Sequence, residues 1–201
     1  MAKGALRALS LARTPAPLEE TLGAYDQLIK QGKVRVIGAS NYSAERLEEA
    51  LSVSAKNGLP RYESLQPHYN LYDRADFEAK LEGVCKQNEV GVISYFSLAS
   101  GFLSGKYRSE ADLSKSARGQ GIKKYLNERG HRILAALDSV AKETAATPAR
   151  VALAWLIARP SVTAPIASAT SLPQLEELVA ATRLQLSGDA LARIDAASRP
   201  T

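Results

Sequence analysis

The sequence predicts an α/β fold built around parallel strands. From Pro17 onward, short apolar runs alternate with amphipathic segments that begin and end at capping residues. Each run is too short for a helix and apolar enough for a strand buried on both faces. Strands separated by helices form parallel sheets with right-handed crossovers. Four such units would form either half of a closed barrel or a small open sheet.

The predicted elements follow one another in a regular order. We expect strands at residues 34–38, 62–66, 90–95 and 162–166. Ser43, Thr147 and Ser171 are typical helix N-caps, and Gly58 is a typical helix stop. Helices are therefore predicted over residues 17–32, 43–57, 77–85, 125–146, 147–157, 171–179 and 187–198. Residues 108–121 are polar and show no periodicity, which favours an exposed loop.

Composition excludes several classes of protein. The 201 residues are 45% hydrophobic and 23% charged, which is ordinary for a globular domain. The net charge of +5 is spread over many sites and does not indicate a nucleic-acid partner. No apolar run is long enough to cross a membrane. The single cysteine, Cys85, has no intrachain partner and falls on a predicted apolar face, so a reducing, cytoplasmic compartment is expected.

Residues 1–16 differ from the rest of the chain. They lack acidic residues and carry isolated cations among Ala and Leu, a pattern compatible with a transit peptide, with an exposed basic helix, or with no specified structure. We expect a poorly specified N-terminal segment over residues 1–16 and one domain over residues 17–201.

Polar side chains follow the first two predicted strands. Ser40 and Asn41 come after one strand and Gln66 ends the next, and their groups can donate to and accept from an amide ligand. The alternative is that Ser40 and Asn41 only begin the next helix. His68 and Tyr69 are of residue types used in proton transfer, although a histidine in such a loop is more often structural.

The later strand ends carry aromatic, small and cationic residues. Tyr95 offers a ring for stacking, and the Ser- and Gly-rich loop after it ends at Lys106, a cation that could contact phosphate. The spacing matches neither a P-loop nor a dinucleotide-binding glycine motif, so a flexible loop with a surface lysine is the alternative. Residues 167–171 lead into a helix start that could bind an anion, or could form an ordinary cap.

Taken together, these strand ends resemble those of the aldo-keto reductase family, and in particular its bacterial members that are similar to potassium-channel β subunits. The resemblance lies in GKVRVIGASNYS (32–43), SLQPHYNLYDR (64–74), YFSLASGFLSGKY (95–107) and PIASATSLPQLEEL (165–178). It implies a partial (β/α)8 TIM barrel, made of four C-terminal βα units plus extra helices. It also implies binding of NADP(H) and hydride transfer to a small aldehyde or ketone.

The resemblance assigns cofactor contacts to individual residues. Ser40, Asn41 and Gln66 would hold the nicotinamide carboxamide, and Tyr95 would stack on the ring. The pyrophosphate would be surrounded by Phe96, Ser97, Leu98, Gly101 and Lys106, and Arg118 would close over the cofactor. The adenosine end would be contacted by Ser168, Thr170, Gln174 and Glu177. Ser168 stands where the family often has Gly, and Leu178 where it often has Asn, which puts the choice between NADP and NAD in question.

No catalytic residue and no metal ligand is assigned. The family's Asp, Tyr, Lys and His proton-transfer group lies on βα units with no counterpart in this sequence. We therefore expect a truncated aldo-keto reductase whose own activity is uncertain. The alternative is a non-catalytic cofactor-binding or regulatory half-barrel that pairs with another chain, or with itself, through open strand edges.

Overall fold

The structure, a computed structural model, describes residues 7–11, 16–115 and 119–200, with the backbone alone at 7–11 and 115. Its strands are β1 Arg7–Leu11, β2 Val36–Ser40, β3 Tyr62–Gln66, β4 Gly91–Ser94 and β5 Val162–Pro165. Its α-helices are α1 Leu18–Lys30, α2 Ala44–Asn57, α3 Glu82–Gln87, α4 Glu128–Glu143, α5 Pro148–Ile157, α6 Leu172–Ala181 and α7 Gly188–Ser198. A π-helical turn, Phe77–Leu81, leads into α3, and short 3₁₀ segments occupy Ala99–Ser104, Glu110–Lys115 and Gly119–Tyr125.

The chain divides into two compact units. The first comprises the chain up to Pro67 together with Asp76–Ile93. The second comprises His68–Ala75 and the chain from Ser94 onward.

The first unit contains parallel strands that lie side by side in chain order. β1 pairs with β2, β2 with β3, and β3 with β4, all in parallel. This confirms a parallel α/β fold. In the register Ser40 lies opposite Gln66, so the carboxyl ends of β2 and β3 adjoin. β3 has the predicted bounds, whereas β2 begins and ends two residues later than predicted.

β1 was not predicted from the sequence. It falls within residues 1–16, for which no regular structure was expected. Its sequence, RALSL, has no β-branched or aromatic residue, so its intrinsic preference for a strand is weak. Its backbone pairs with all five residues of β2, and this tertiary pairing decides its conformation.

The core of the first unit lies between its strands and helices. Leu22, Ile37, Leu47 and Leu65 are fully or almost fully buried. Cys85 is also buried, as its position on the predicted apolar face indicated. Burial and the nearby Glu82 carboxylate raise the pKa of the Cys85 thiol to about 12, so the thiol is protonated and unreactive at neutral pH.

The second unit is mainly helical. Just after β5, the Ile166 amide donates to the Ser94 carbonyl over 2.7 Å. α4 packs against α5 and α7, and α5 packs against α6. The largest buried side chain is that of Trp155, which contacts the ring of Tyr69. The predicted caps Thr147 and Ser171 accept hydrogen bonds from the amides of Arg150 and Gln174.

Residues 108–121 are more regular than predicted. Two 3₁₀ segments replace most of the expected loop, and Leu113 and Ile122 are buried within them. A Cβ at Gly119 would lie 1.7 Å from the Leu113 carbonyl oxygen, so the backbones approach there as only glycine allows. A 3₁₀ helix has three residues per turn and is usually short. The sequence of residues 108–121 therefore shows no α-helical periodicity from which these segments could have been predicted.

None of the helices in the described ranges is long and apolar enough to cross a membrane.

Candidate functional site

The polar residues at the ends of β2 and β3 contact one another. The buried Ser40 hydroxyl lies 3.3 Å from the Gln66 carbonyl oxygen and 3.4 Å from Gln66 Oε1. The Asn41 amide donates to the same carbonyl over 3.4 Å, and Asn41 adopts a left-handed φ of 59°. The two strand ends therefore present a hydroxyl and two carboxamides within the first unit.

Aromatic side chains follow β4 in the second unit. The Tyr95 and Phe96 ring centroids are 5.2 Å apart. Phe96 is 51% exposed although it is large and apolar. Just before them, the hydroxyl of Ser94 is buried and has no hydrogen-bond partner among the described residues. These residues offer an aromatic surface and one unused polar group.

The backbone after Tyr95 turns sharply. Phe96, Ala99, Ser100 and Gly101 all have positive φ values, between 49° and 98°. Non-glycine residues in this region are strained, and such strain is concentrated at functional sites. The Ser97 hydroxyl donates to the Ser94 carbonyl over 3.3 Å. The Leu98 carbonyl accepts from the amides of Gly101 and Leu103, which closes the turn.

Lys106 lies beside this turn. A Cβ at Gly101 would come within 3.2 Å of Lys106 Cε and 3.4 Å of Nζ, so the glycine makes room for the lysine. The ammonium group lies 5.0 Å from the centroid of the Tyr107 ring. The turn and the cation together have the composition of an anion-binding loop.

The start of α6 is the second polar feature of this unit. Ser168, Thr170 and Ser171 are exposed. Gln174 Oε1 accepts from the Thr170 amide over 2.9 Å and from its hydroxyl over 3.1 Å. In a standard capping box, the Gln174 side chain would accept from the amide of the cap residue, Ser171. Here it accepts instead from Thr170, the residue before the cap.

Glu177 has its own partners on α5. Its carboxylate accepts from the Thr147 hydroxyl over 2.5 Å and forms an ion pair with Arg150. The Thr147 hydroxyl and the Arg150 guanidinium lower the pKa of this carboxyl, although burial opposes them. Glu177 thus fixes α6 against α5, and its predicted cofactor contact stays a prediction.

The predicted set is divided between the two units. Ser40, Asn41 and Gln66 belong to the first, and the remaining described residues of the set belong to the second. Arg118 lies outside the described residues.

Comparison with known proteins decides the family. The family model described as "Aldo/keto reductase family" matches residues 10–199, nearly the whole chain. The chain belongs to the aldo/keto reductase family. This confirms the resemblance drawn from the four quoted segments.

Several curated relatives of the family are similar to this chain. It is 32% identical to Protein tas of Escherichia coli over 181 residues, which cover 89% of the chain and 52% of that protein. It is 32% identical to the L-glyceraldehyde 3-phosphate reductase of E. coli, covering 89% of the chain and 54% of the relative. It is 34% identical to the aldo-keto reductase dtxS3 of Metarhizium robertsii, covering 86% and 46%. The chain thus spans about half the length of the curated relatives it matches.

A further cluster of this aldo/keto reductase chain was not found from the sequence. In the second unit, His68 Nε2 lies 3.0 Å from Asp73 Oδ2. The same oxygen accepts from the Tyr125 hydroxyl over 2.8 Å and from Asn70 Nδ2 over 3.2 Å. Burial opposes ionisation of Asp73, but these hydrogen bonds outweigh it and lower its pKa to about 2.

Part of this cluster had a local signal in the sequence. Asn70 Oδ1 accepts from the amides of Tyr72 and Asp73, which is an Asx-turn of the kind that Asn favours. That turn brings Asp73 back towards His68. Tyr69, the other residue considered for proton transfer, is fully buried against Trp155.

Proposed function

We propose that this chain binds a nicotinamide dinucleotide, NADP(H) as the resemblance implies, and orients it for the reduction of a small aldehyde or ketone. The observation that carries the proposal is the strained turn at residues 96–101 with Lys106 beside it. A strained, glycine-containing turn next to a cation suits a pyrophosphate, whose charge Lys106 would offset.

Within each unit, other described groups are of the types that the resemblance assigns to this cofactor. The Ser40 hydroxyl and the Gln66 carboxamide match the donors and acceptor of a nicotinamide amide. Tyr95 offers a ring face for stacking, and the exposed hydroxyls at the start of α6 suit phosphate or ribose oxygens. Residues 165–171, which precede α6, contain no Lys or Arg that could bind a 2′-phosphate. The preference for NADP over NAD is therefore supported by the resemblance alone. When bound, the cofactor supplies the hydride.

Titration of NADPH fluorescence tests the proposal. Losing one charge-assisted phosphate contact costs about 1.5–3 kcal/mol, so Lys106→Ala should weaken binding about tenfold or more. Lys142→Ala removes the same charge from the exposed end of α4 and serves as the control. Binding that is undetectable at millimolar NADPH, or equal in Lys106→Ala and wild type, would remove the case for a cofactor site.

We propose that the chain alone does not reduce carbonyl compounds at a measurable rate. A positioned proton donor contributes about 10²–10⁴-fold to such a reaction, and none is assigned within this chain. NADPH oxidation should therefore stay at the background rate with a simple aldehyde. Steady turnover that is lost in His68→Ala or Tyr69→Phe would show that the proton donor lies here.

A second candidate function is a regulatory or binding module that pairs with another copy of this chain. The observation that favours it is the exposed apolar face of α6, where Leu172, Leu175 and Val179 are 67%, 49% and 47% exposed. These residues are spaced by three and four positions, so they lie on one side of the helix. Contiguous exposed apolar residues are typical of interaction surfaces.

A further inference from the structure

Asn70 is fully buried in the second unit, and both ends of its side-chain amide have hydrogen-bond partners. Oδ1 accepts from the backbone amides of Tyr72 and Asp73, over 2.8 and 2.9 Å. Nδ2 donates to Asp73 Oδ2 over 3.2 Å and to the Phe96 carbonyl oxygen over 3.0 Å. A reversed amide would place Oδ1 against a carboxylate and a carbonyl, so these partners decide which way the amide group lies.

The Phe96 carbonyl stands at the start of the strained turn at residues 96–101. Besides Asn70, the Ala99 amide donates to it over 2.7 Å. Phe96 has a φ of 53°, in the left-handed region that a side chain of this size rarely adopts. Asn70 reaches this carbonyl across 26 residues of chain, so the bond is tertiary. The two donors therefore stabilise a backbone conformation that is unfavourable for phenylalanine alone.

The Phe96 carbonyl and the Ser97 amide belong to one planar peptide group, in which they point in opposite directions. A hydrogen bond that fixes the carbonyl therefore also fixes the direction of the Ser97 N–H. Ser97 is buried, and no backbone carbonyl of the described residues accepts from its amide. Buried backbone donors are almost always paired, so this N–H is suited to an acceptor supplied by a ligand.

We infer that Asn70 is a positioning residue, which holds the peptide group between Phe96 and Ser97 so that the Ser97 amide donates to a phosphate oxygen of the cofactor. The inference rests on the proposed function, since it takes this turn as the pyrophosphate site. Asn70 is buried and acts through the Phe96 carbonyl. Without its N–H donor the peptide group is free to rotate, and the preorganisation of the Ser97 donor is lost.

Titration of NADPH against Asn70→Ser tests this inference. A serine hydroxyl can still accept from the amide two residues later, but it is too short to replace the bond to the Phe96 carbonyl. Loss of that bond should weaken NADPH binding about tenfold. An Asn70→Ser variant that binds NADPH as tightly as the wild type would overturn the inference.

Tyr125→Phe is the matched control. It removes the hydroxyl that donates to Asp73 Oδ2 over 2.8 Å, beside Asn70, and leaves the bond between Asn70 and Phe96 in place. We expect this variant to bind NADPH as the wild type does. Equal losses of affinity in Tyr125→Phe and Asn70→Ser would show that Asn70 has a structural role only.

A measurement without cofactor observes the peptide group itself. Phe is followed by Ser only at residues 96–97. A chain with isotope labels at the Phe carbonyl carbon and the Ser nitrogen therefore gives one signal in an NMR spectrum that correlates each amide with the preceding carbonyl. This signal should shift in Asn70→Ser and keep its wild-type position in Tyr125→Phe. An unchanged signal in Asn70→Ser would overturn the inference.

The same signal separates this inference from the proposed function. In the wild type, added NADPH should move the Ser97 amide signal, a result that decides the matter even where Asn70→Ser does not fold. NADPH that binds without moving this signal would overturn the role of Asn70. A signal that depends on Asn70 in a chain that binds no NADPH would overturn the proposed function, and with it the role of Asn70 towards the cofactor.

Discussion

Asp73 gathers three hydrogen-bond donors on one carboxylate oxygen. His68, Tyr125 and Asn70 all contact Oδ2, at distances between 2.8 and 3.2 Å. Burial disfavours the charged form, but the donors outweigh burial and lower the pKa from 3.8 to about 2. A carboxyl whose pKa is lower in the folded than in the unfolded protein stabilises the fold when it is ionised.

The pH dependence of stability follows from this shift. Ionised Asp73 stabilises the fold above about pH 4, and the contribution is lost as pH falls towards 2. A shift of this size corresponds to about 2 kcal/mol. We expect Asp73→Asn to lower the free energy of unfolding by about that amount at pH 6 and by almost nothing at pH 2, as measured by urea denaturation.

Glu48→Gln is the matched control, because Glu48 is an exposed carboxylate on α2. It should change the free energy of unfolding by less than about 0.5 kcal/mol at either pH. An equal loss of stability in Asp73→Asn at pH 6 and pH 2 would contradict the assigned ionisation.

The role of a residue could be predicted where its hydrogen-bond partner is near in sequence. The role of Asp73 could not be predicted in this way. Ser43 and Thr147 accept from amides three residues later, so their capping role follows from residue type and local spacing. Tyr125 reaches Asp73 across 52 residues of chain. No local pattern encodes that contact, since it depends on how the 3₁₀ segment Gly119–Tyr125 packs.

At the level of elements, the junction between this 3₁₀ segment and α4 depends on Gly130. A Cβ there would lie 1.9 Å from the Tyr125 carbonyl oxygen and 3.0 Å from Phe102 Cζ. The Phe102 and Tyr125 rings are stacked at 5.2 Å, so neither neighbour can move without disturbing the core. The glycine allows α4 to begin close to Tyr125.

Gly130→Ala should therefore destabilise the protein although alanine is the better helix former. We expect a loss of about 2–4 kcal/mol in the free energy of unfolding, since either the backbone or the stacked rings must shift. Thermal and urea denaturation measure it. Gly83→Ala is the control, because Gly83 lies inside α3 with nothing within 4 Å of an added Cβ. That variant should be neutral or slightly more stable, and equal effects in the two variants would contradict the proposed role of Gly130.

The helices and most strands could be predicted because their signals are local. Apolar runs, caps and a left-handed Gly58 mark their ends within a few residues. β1 and the 3₁₀ segments were missed for a different reason. The conformation of β1 comes from its pairing with β2, and Leu113 and Ile122 are buried at a spacing that no helical pattern reveals.

For the whole molecule, the family match covers nearly the entire chain, but the chain is much shorter than its relatives. The family match covers residues 10–199, whereas the chain spans about half of each relative. The cofactor-binding segments proposed here all occur in this chain, and we expect the family's proton-transfer residues to have no counterpart in it. Cofactor binding and carbonyl reduction are therefore separate questions for this protein, to be measured separately.

Self-association is the last expectation, and it concerns the exposed face of α6. Leu172, Leu175 and Val179 are the most exposed large apolar residues of the described helices, and burying them against a second copy would gain about 25 cal/mol per Å² of apolar surface. We expect the wild type to show a mass above the 21.6 kDa of one chain in size-exclusion chromatography with light scattering. The double variant Leu175→Lys, Val179→Lys should be monomeric with an unchanged circular dichroism spectrum, because two cations on this face oppose its burial. Ile157→Lys places a cation on another exposed apolar residue, at the end of α5, and should leave the mass unchanged. A wild type that stays monomeric at high protein concentration, or a double variant that keeps the wild-type mass, would show that this face does not join two copies.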